Sequence, residues 1–172
     1  MIPARFREFL DLIKFNHTLF ALPFAIFGGA LAAHRSDGWH GRIQDWVGIL
    51  LCMATARSAA MAFTRLADRA IDARNPRTAT RHLPAGKLSV ASVAIFTAVS
   101  AALFVGSTLL FLPNRLPLFL SIPVLLWILA YSYTKRFTSL AHFWLGISLS
   151  LTPIASWIAL RGDLGWPPLL LG

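Results

Sequence analysis

The amino-acid sequence predicts an all-α fold, a polytopic bundle of transmembrane helices with five full spans and the start of a sixth. Of its 172 residues, 56% are hydrophobic and only 13% are charged, and the mean hydropathy is +0.64. This composition is too apolar for an ordinary soluble domain, and the chain is too long for a single membrane anchor. Apolar runs of bilayer length also recur along it, since roughly 20 helical residues cross a hydrocarbon core of about 30 Å.

The predicted spans are separated by polar connections. They are residues 15–33, 46–64, 90–111, 117–134 and 140–160. Only the second contains an arginine, lysine or acidic residue, and that residue is Arg57. A further apolar segment begins at residues 167–172. We therefore expect residues 1–172 to be the N-terminal part of a single, larger transmembrane domain.

The chain begins with a short amphipathic segment. Residues 2–13 place apolar side chains at helical spacing between charged ones, which is typical of a helix lying at the membrane interface. The apolar run that follows could be mistaken for a secretory signal peptide. Its 19 residues exceed the roughly 7–15 of a signal core, so we expect a retained first span.

The helix that contains the second span should continue beyond the bilayer. Nothing interrupts it until Asn75-Pro76, because proline disfavours helical geometry at the residue before it. Residues 46–74 would measure about 43 Å, so the last turns should emerge at the membrane surface. Ser89 is a suitable N-cap for the third span, and we expect residues 131–139 to form a short turn into the fifth.

The basic residues alternate across the spans as membrane orientation requires. Twelve lie on one side and four on the other. The positive-inside rule then places the N-terminus, the 65–87 loop and the connection at Lys135 in the cytoplasm, as expected of a protein of the bacterial inner membrane. The net charge of +9 is thus explained by topology, and we expect no nucleic-acid partner.

One stripe of the second helix carries charged and polar residues. At 100° per residue, Thr64 and Asp68 lie about 20° to either side of Arg57, and Asp72 about 60° away. Carboxylates one turn apart can share Mg²⁺, while nearby arginines take phosphate oxygens in forked geometry. The spacing predicts a metal-dependent diphosphate site. It equally permits simple pairing with Arg65, Arg69 or Arg74 on a solvated helix end.

Arg57 itself lies near the middle of an apolar span. A cation there is costly and indicates a functional cavity, where it would orient an anionic substrate. Snorkelling to the interface is the alternative, but it is difficult from mid-span. Asn16 and His17, at the start of the first span, are weaker candidates for the same pocket.

Three stretches resemble the UbiA superfamily of intramembrane prenyltransferases, especially its 4-hydroxybenzoate polyprenyltransferase branch. The first, RSAAMAFTRLADRAIDARNPRTATRHLPAGKLS, is similar to the family's first aspartate-rich region. The second, IKFNHTLFALPFAIFGG, resembles the branch's N-terminal signature, and the third, YSYTKRFTSLAHFWLG, resembles its YxxxKRFT loop. The family pattern has asparagine at the position of Thr64. It also has a second aspartate-rich loop in a C-terminal half that residues 1–172 do not contain.

The resemblance implies a role for each matching position. Asp68 and Asp72 would hold Mg²⁺ on a polyprenyl diphosphate, with Thr64 beside them. Arg57 and Tyr131 would lie near a small aromatic acid acceptor such as 4-hydroxybenzoate or near the allylic carbon. The phosphates would contact Arg77, Arg81, Lys135 and Arg136. The implied activity is transfer of a polyprenyl group within the lipid bilayer, in quinone biosynthesis.

Three other functions use parts of the same pattern. A CDP-alcohol phosphatidyltransferase also places DxxxD and a metal at the membrane edge, but the DGxxAR element of that family is absent upstream of Asp68. In a transporter, Arg57 and the acids would line an ion path near mid-membrane, whereas helix length places the acids at the mouth. A catalytically inactive membrane scaffold is the third alternative.

Overall fold

A computed structural model describes residues 4–13, 18–35, 42–137, 141–163, 165–166 and 170, and the regular structure of this part of the chain is entirely helical. The helices are α1 (Ala4–Leu12), α2 (Thr18–Arg35), α3 (Ile43–Arg74), α4 (Val90–Ser107), a 3₁₀ turn (Thr108–Phe111), α5 (Leu116–Phe137) and α6 (Ala141–Arg161).

The polytopic helix bundle predicted from the sequence is confirmed. Four helical stretches are long and apolar enough to cross a membrane: Ile43–Arg74, Val90–Phe111, Leu116–Arg136 and His142–Arg161. The first predicted span forms α2, whose apolar part, Leu22–His34, is shorter. Most of the predicted start of a sixth span lies outside the described residues, as do Asn16 and His17.

Helix α3 is the longest helix that the structure describes. Its 32 residues span about 48 Å, more than the hydrocarbon core of a bilayer. At its start Asp45 accepts hydrogen bonds from the Arg42 backbone (3.0 Å) and guanidinium (2.8 Å). At its end the helix stops at Arg74, directly before Asn75-Pro76, as predicted. The predicted Ser89 cap of α4 is also confirmed, since its hydroxyl accepts from the Ser92 N–H at 3.1 Å.

The prediction of a turn over residues 131–139 is wrong for most of its length. Helix α5 continues through Phe137, so Tyr131, Lys135 and Arg136 are helical. The sequence has no glycine or proline between residues 124 and 137, and an apolar helix continues until something breaks it. Two cations therefore occupy the last turn of α5, where the helix dipole also favours positive charge.

Small side chains let neighbouring helices approach α3 closely. Ala59 and Ala62 are completely buried on it, Ala59 in a cluster with Phe104 of α4 and Leu125 of α5. Packing of this kind drives association in membranes, where lipid is as apolar as the helix surface. Helix α3 consequently contacts α2, α4, α5 and α6.

The amphipathic segment predicted at the interface is helix α1, and it docks on the bundle. Leu12 is 1% exposed in a cluster with Ala62 of α3 and Val93 of α4. Phe9 stacks on Phe96 with 4.8 Å between ring centroids. Helix α1 thus covers one side of α3 near its C-terminal end.

Large apolar side chains also point away from the bundle. Ile95, Phe119 and Phe143 are between 64% and 73% exposed. An exposed apolar surface of this extent is unusual for a soluble monomer and is the expected surface of a helix bundle in lipid.

Gly28 of α2 is a close-contact point with α6, and Gly28→Ala is expected to destabilise the bundle. An added Cβ would lie 2.7 Å from the Pro153 carbonyl oxygen, so the two helices must separate, at a cost of about 1–3 kcal/mol. Gly106→Ala in α4 is the control, because nothing lies within 4 Å of its added Cβ. That change should be neutral or stabilising by up to about 1 kcal/mol. Unfolding titrations in mixed micelles measure both, and equal effects would contradict the packing argument.

Candidate active site

The C-terminal turns of α3 and α5 lie side by side, and we call this region, with the 75–88 segment, the basic end. Thr64 contacts Ser132, and four residues further on Asp68 contacts Arg136. Contacts that advance together along both helices show that α3 and α5 run in the same direction. Both helices therefore deliver their final turns to one end of the bundle.

Asp68 is held by the last turn of α5. Only 8% of the residue is exposed, although it carries a carboxylate. The Lys135 ammonium donates to Asp68 Oδ2, and Arg136 Nη2 donates to Oδ1 at 3.2 Å. Arg136 Nη2 also donates to the Ala67 carbonyl at 2.7 Å, which fixes the guanidinium against α3. Two cations from α5 thus share one carboxylate of α3.

Asp72 is held by the segment that follows α3. The residue is 6% exposed, and Arg81 Nη1 lies 2.8 Å from each of its carboxylate oxygens. The Thr78 hydroxyl donates to the Asp72 carbonyl at 3.0 Å and folds the segment back over the helix end. Asp72 therefore has a cationic partner from a different part of the chain than Asp68 has.

The contacts of the two acids differ from the simple pairing with neighbouring arginines that the spacing also permitted. Partners of Asp68 and Asp72 are Lys135, Arg136 and Arg81, rather than the neighbouring arginines on α3. Both acids are buried instead of solvated. Simple pairing on a solvated helix end is therefore wrong as a description of this pair.

Thr64 connects α3 to α5. Its hydroxyl lies 2.8 Å from the Ser132 hydroxyl, and Ser132 is completely buried. The pair lies one turn deeper in the bundle than Asp68. Sequence reasoning missed Ser132, although its position one turn before Lys135 and Arg136 on α5 was a usable signal.

Arg57 lies about two turns deeper still on α3, on the face that carries Thr64 and Asp68. Its Nε is buried and has no hydrogen-bond partner, and no ion pair joins it to any residue that the structure describes. An unmatched guanidinium inside an apolar bundle is expensive unless water or a ligand contacts it. Arg57 is thus the deepest polar group of the stripe.

Tyr131 and Arg77 are the remaining predicted site residues. Tyr131 is half-buried, one turn before Lys135 on α5, and its hydroxyl has no hydrogen-bond partner among the described residues. Arg77 is exposed, and only its backbone N–H is engaged, with Asn75 Oδ1 at 3.0 Å. The structure therefore brings Tyr131 close to the cluster along α5 but leaves Arg77 in solvent.

The side chains at the basic end limit which metal ion could bind there. Within the described ranges, no group of three His, Cys, Asp or Glu residues lies together, so neither zinc nor a closed protein cage is indicated. Asp68 and Asp72 supply two carboxylates one helical turn apart. Mg²⁺ is commonly bound in this way, through one or two carboxylates with water and phosphate oxygens completing the shell. The residues present fit magnesium bound together with a phosphorylated ligand.

Known proteins resemble this chain over most of its length. A model of the UbiA prenyltransferase family matches residues 21–172. Protoheme IX farnesyltransferase of Ectopseudomonas mendocina is 31% identical over 170 residues, which cover 98% of this chain and 55% of that protein. For 4-hydroxybenzoate octaprenyltransferase of a Polaromonas species the identity is 30% over 148 residues, 79% of this chain and 50% of that protein.

A solved structure agrees with the arrangement of helices. The apo structure of a UbiA homolog from Aeropyrum pernix K1 superimposes with a TM-score of 0.77 at 32% identity, covering 91% of this chain and 54% of that one. The chain spans about half the length of the curated relatives it matches.

Breaking the ion cluster at Asp68 should lower stability, and Asp68→Asn tests it. The change leaves Lys135 and Arg136 without a counter-ion at a buried site. We expect a loss of about 1–2 kcal/mol, less than the roughly 3–5 kcal/mol of a fully buried pair, because the two cations are 26% and 28% exposed. Chemical unfolding in mixed micelles measures it.

Asp163→Asn is the matched control, because Asp163 pairs with Arg161 while its side chain is 52% exposed. The hydrogen bond from Arg161 holds the pKa of Asp163 below its ordinary value. At neutral pH we expect this substitution to cost less than about 0.5 kcal/mol. A loss at Asp163 as large as the loss at Asp68 would contradict the assignment of Asp68 to a buried cluster.

Proposed function

The chain belongs to the UbiA prenyltransferase family, and on that premise we propose that its basic end binds a polyprenyl diphosphate for Mg²⁺-dependent transfer of the prenyl group to an aromatic acceptor. The transfer takes place within a lipid bilayer, where the apolar helices hold the prenyl chain.

The observation that carries this proposal is the burial of two carboxylates, each paired with cations from elsewhere in the chain. Asp68 and Asp72 are 8% and 6% exposed at the end of an otherwise apolar helix. Buried ion clusters contribute little net stability compared with apolar packing, so stability alone does not explain the arrangement. A ligand that carries both metal and phosphate charge does explain it.

Each side chain of the basic end has a role in this reaction. Asp68 and Asp72 hold Mg²⁺, which when bound supplies positive charge to the diphosphate. Arg81, Lys135 and Arg136 retain N–H groups beyond those used on the acids, and these donate to the phosphate oxygens. Donors fixed in place stabilise the charge that develops on the diphosphate as the allylic C–O bond breaks.

The acceptor occupies the deeper part of the stripe. The guanidinium of Arg57 binds its acidic group and orients the ring, with Tyr131 near the allylic carbon. The electron pair of the broken C–O bond leaves with the diphosphate, a ring carbon bonds to the allylic cation, and the ring then loses a proton. Apolar helix surfaces around the site exclude water, which would otherwise capture the cation.

We further propose that the basic end faces the cytoplasm of a bacterium and that the product enters quinone biosynthesis, with 4-hydroxybenzoate as the model acceptor. Twelve of the sixteen basic residues lie on this side of the predicted topology, which supports the orientation. The sequence resemblance to the hydroxybenzoate branch supports the acceptor.

A second acceptor has a specific observation in its favour. The protoheme IX farnesyltransferases among its relatives are 31–38% identical to this chain, against 28–34% for the 4-hydroxybenzoate octaprenyltransferases. A protoheme-like acceptor is therefore the alternative. Parallel titrations of the two compounds distinguish them, since only the true acceptor should bind in a manner that depends on Arg57.

Asp68→Asn and Asp72→Asn test the diphosphate site. We expect each to raise the Kd of a prenyl diphosphate in the presence of Mg²⁺ at least about tenfold, because a charged hydrogen-bond or metal ligand is worth about 1.5–3 kcal/mol. Binding of farnesyl diphosphate to the chain in lipid nanodiscs, with Mg²⁺ and with a chelator, is the measurement.

Asp45→Asn is the control for that experiment, because Asp45 is equally buried (6% exposed) but pairs with Arg42 at the opposite end of α3. Its Kd should match that of the wild type. If the wild-type chain binds farnesyl diphosphate without regard to Mg²⁺ and Asp68, the enzyme proposal fails and the inactive scaffold is favoured.

Arg57→Gln tests the acceptor site. Removing the guanidinium should raise the Kd of 4-hydroxybenzoate at least about tenfold while leaving that of farnesyl diphosphate within about twofold. Arg57→Lys retains the charge but loses the forked pair of N–H donors. Its Kd for 4-hydroxybenzoate should therefore lie between those of the wild type and Arg57→Gln. Equilibrium binding in nanodiscs measures each constant. An equal loss for both ligands would assign Arg57 to the fold rather than to the acceptor.

A further inference from the structure

An aromatic pair lies beside the ion cluster of the basic end. Tyr133 of α5 is 49% exposed, and its ring meets the ring of Phe63 on α3 edge-on, with 5.9 Å between centroids and 68° between planes. Edge-to-face contact is a favourable arrangement of two aromatic rings. The pair therefore joins α3 to α5 about one turn before Asp68 and Arg136 on the two helices.

The guanidinium of Arg136 lies over the Tyr133 ring. Its Cζ atom is 5.4 Å from the ring centroid, within the about 6 Å at which a cation is attracted to the negative face of an aromatic ring. The two residues are three positions apart on α5, so they share one face of that helix. Tyr133 thus contacts both Phe63 of α3 and the guanidinium of its own helix.

Arg136 consequently has three anchors among the described residues. Its Nη2 donates to the Ala67 carbonyl at 2.7 Å and to Asp68 Oδ1 at 3.2 Å, and the Tyr133 ring is the third. The Asp68 carboxylate is thus one anchor of three. The other two, a backbone carbonyl and an aromatic ring, do not depend on the charge of that acid.

Lys135 is held differently. The Asp68 carboxylate is the one hydrogen-bond and ion-pair partner of its ammonium among the residues that the structure describes. A lysine side chain carries a point charge on a flexible stem, whereas arginine presents a planar fork. When a ligand replaces the ion pairs of Asp68, Lys135 loses its contact with α3, while Arg136 keeps two anchors.

We infer that Phe63 and Tyr133 are positioning residues for Arg136, and this inference rests on the function proposed above. The aromatic pair keeps the guanidinium beside the end of α3 while Asp68 binds Mg²⁺, so that Arg136 meets the diphosphate from a fixed position. A donor that is already held in place loses less side-chain freedom on binding, which raises the affinity for the diphosphate. Neither ring needs to touch the substrate.

Ring-fluorinated phenylalanines at position 133 test the inference. Tyr133 contacts Phe63 and Arg136 through its ring, so Tyr133→Phe should bind farnesyl diphosphate with Mg²⁺ as the wild type does. Successive fluorine atoms weaken the negative face of the ring while changing its size little. We expect the Kd in nanodiscs to rise with each added fluorine, by about two- to fivefold in the pentafluorinated ring.

Tyr133→Leu removes the ring and should raise the same Kd by a similar factor. Phe119→Leu is the matched control, because Phe119 is an exposed aromatic residue at the opposite end of α5, and its Kd should equal that of the wild type. A Kd that stays constant or falls along the fluorinated series would overturn the inference. A ring that only fills space would not respond to its charge distribution.

A double-mutant cycle measures the contact without a ligand. Tyr133→Leu, Arg136→Gln and the double variant are unfolded in mixed micelles, and the two effects should fall short of additivity by about two- to fivefold in the unfolding equilibrium constant. Additive effects would overturn the inference. If the wild type does not bind farnesyl diphosphate, the proposed function fails, while the cycle still supports or overturns the positioning of Arg136 by Tyr133.

Discussion

The arrangement of the basic end depends on one constraint, which is that two carboxylates are buried where α3 leaves the apolar part of the bundle. A buried charge must be paired, and neither Asp68 nor Asp72 finds its partner on its own helix. Asp68 pairs with cations in the last turn of α5, and Asp72 pairs with a cation in the segment after α3. Electrostatic neutralisation therefore fixes where the end of α5 and the 75–88 segment lie relative to α3.

The same constraint would allow a ligand to replace the ion pairs of the two acids. The lysine and arginine side chains that neutralise the acids have further N–H groups. These groups could donate hydrogen bonds to phosphate oxygens bound at the same place. A ligand that brings both divalent cations and phosphate can replace each contact with one of the same kind. Little reorganisation of the backbone would then be required, because α3 and α5 already run side by side in the same direction.

The polar residues of the stripe lie at different positions along the length of α3. The acids lie in the last two turns of α3, Thr64 and Ser132 lie one turn further into the bundle, and Arg57 lies two turns further again. In the proposed reaction, the charged phosphates would bind at the end of α3, while the allylic carbon and the acceptor would lie among apolar side chains. The length of α3, which exceeds the bilayer core, makes this graded arrangement possible.

The sequence by itself determined the membrane class, the end of α3 at Asn75-Pro76, the Ser89 cap and the stripe from Arg57 to Asp72, because hydropathy, proline and helical period act locally. Only the tertiary structure decided that α5 continues to Phe137, that Ser132 meets Thr64, and that Lys135 and Arg136 pair with Asp68. These contacts join residues up to 68 positions apart. The pattern along one helix says which face is polar, but the partner of that face is set by how the helices pack together.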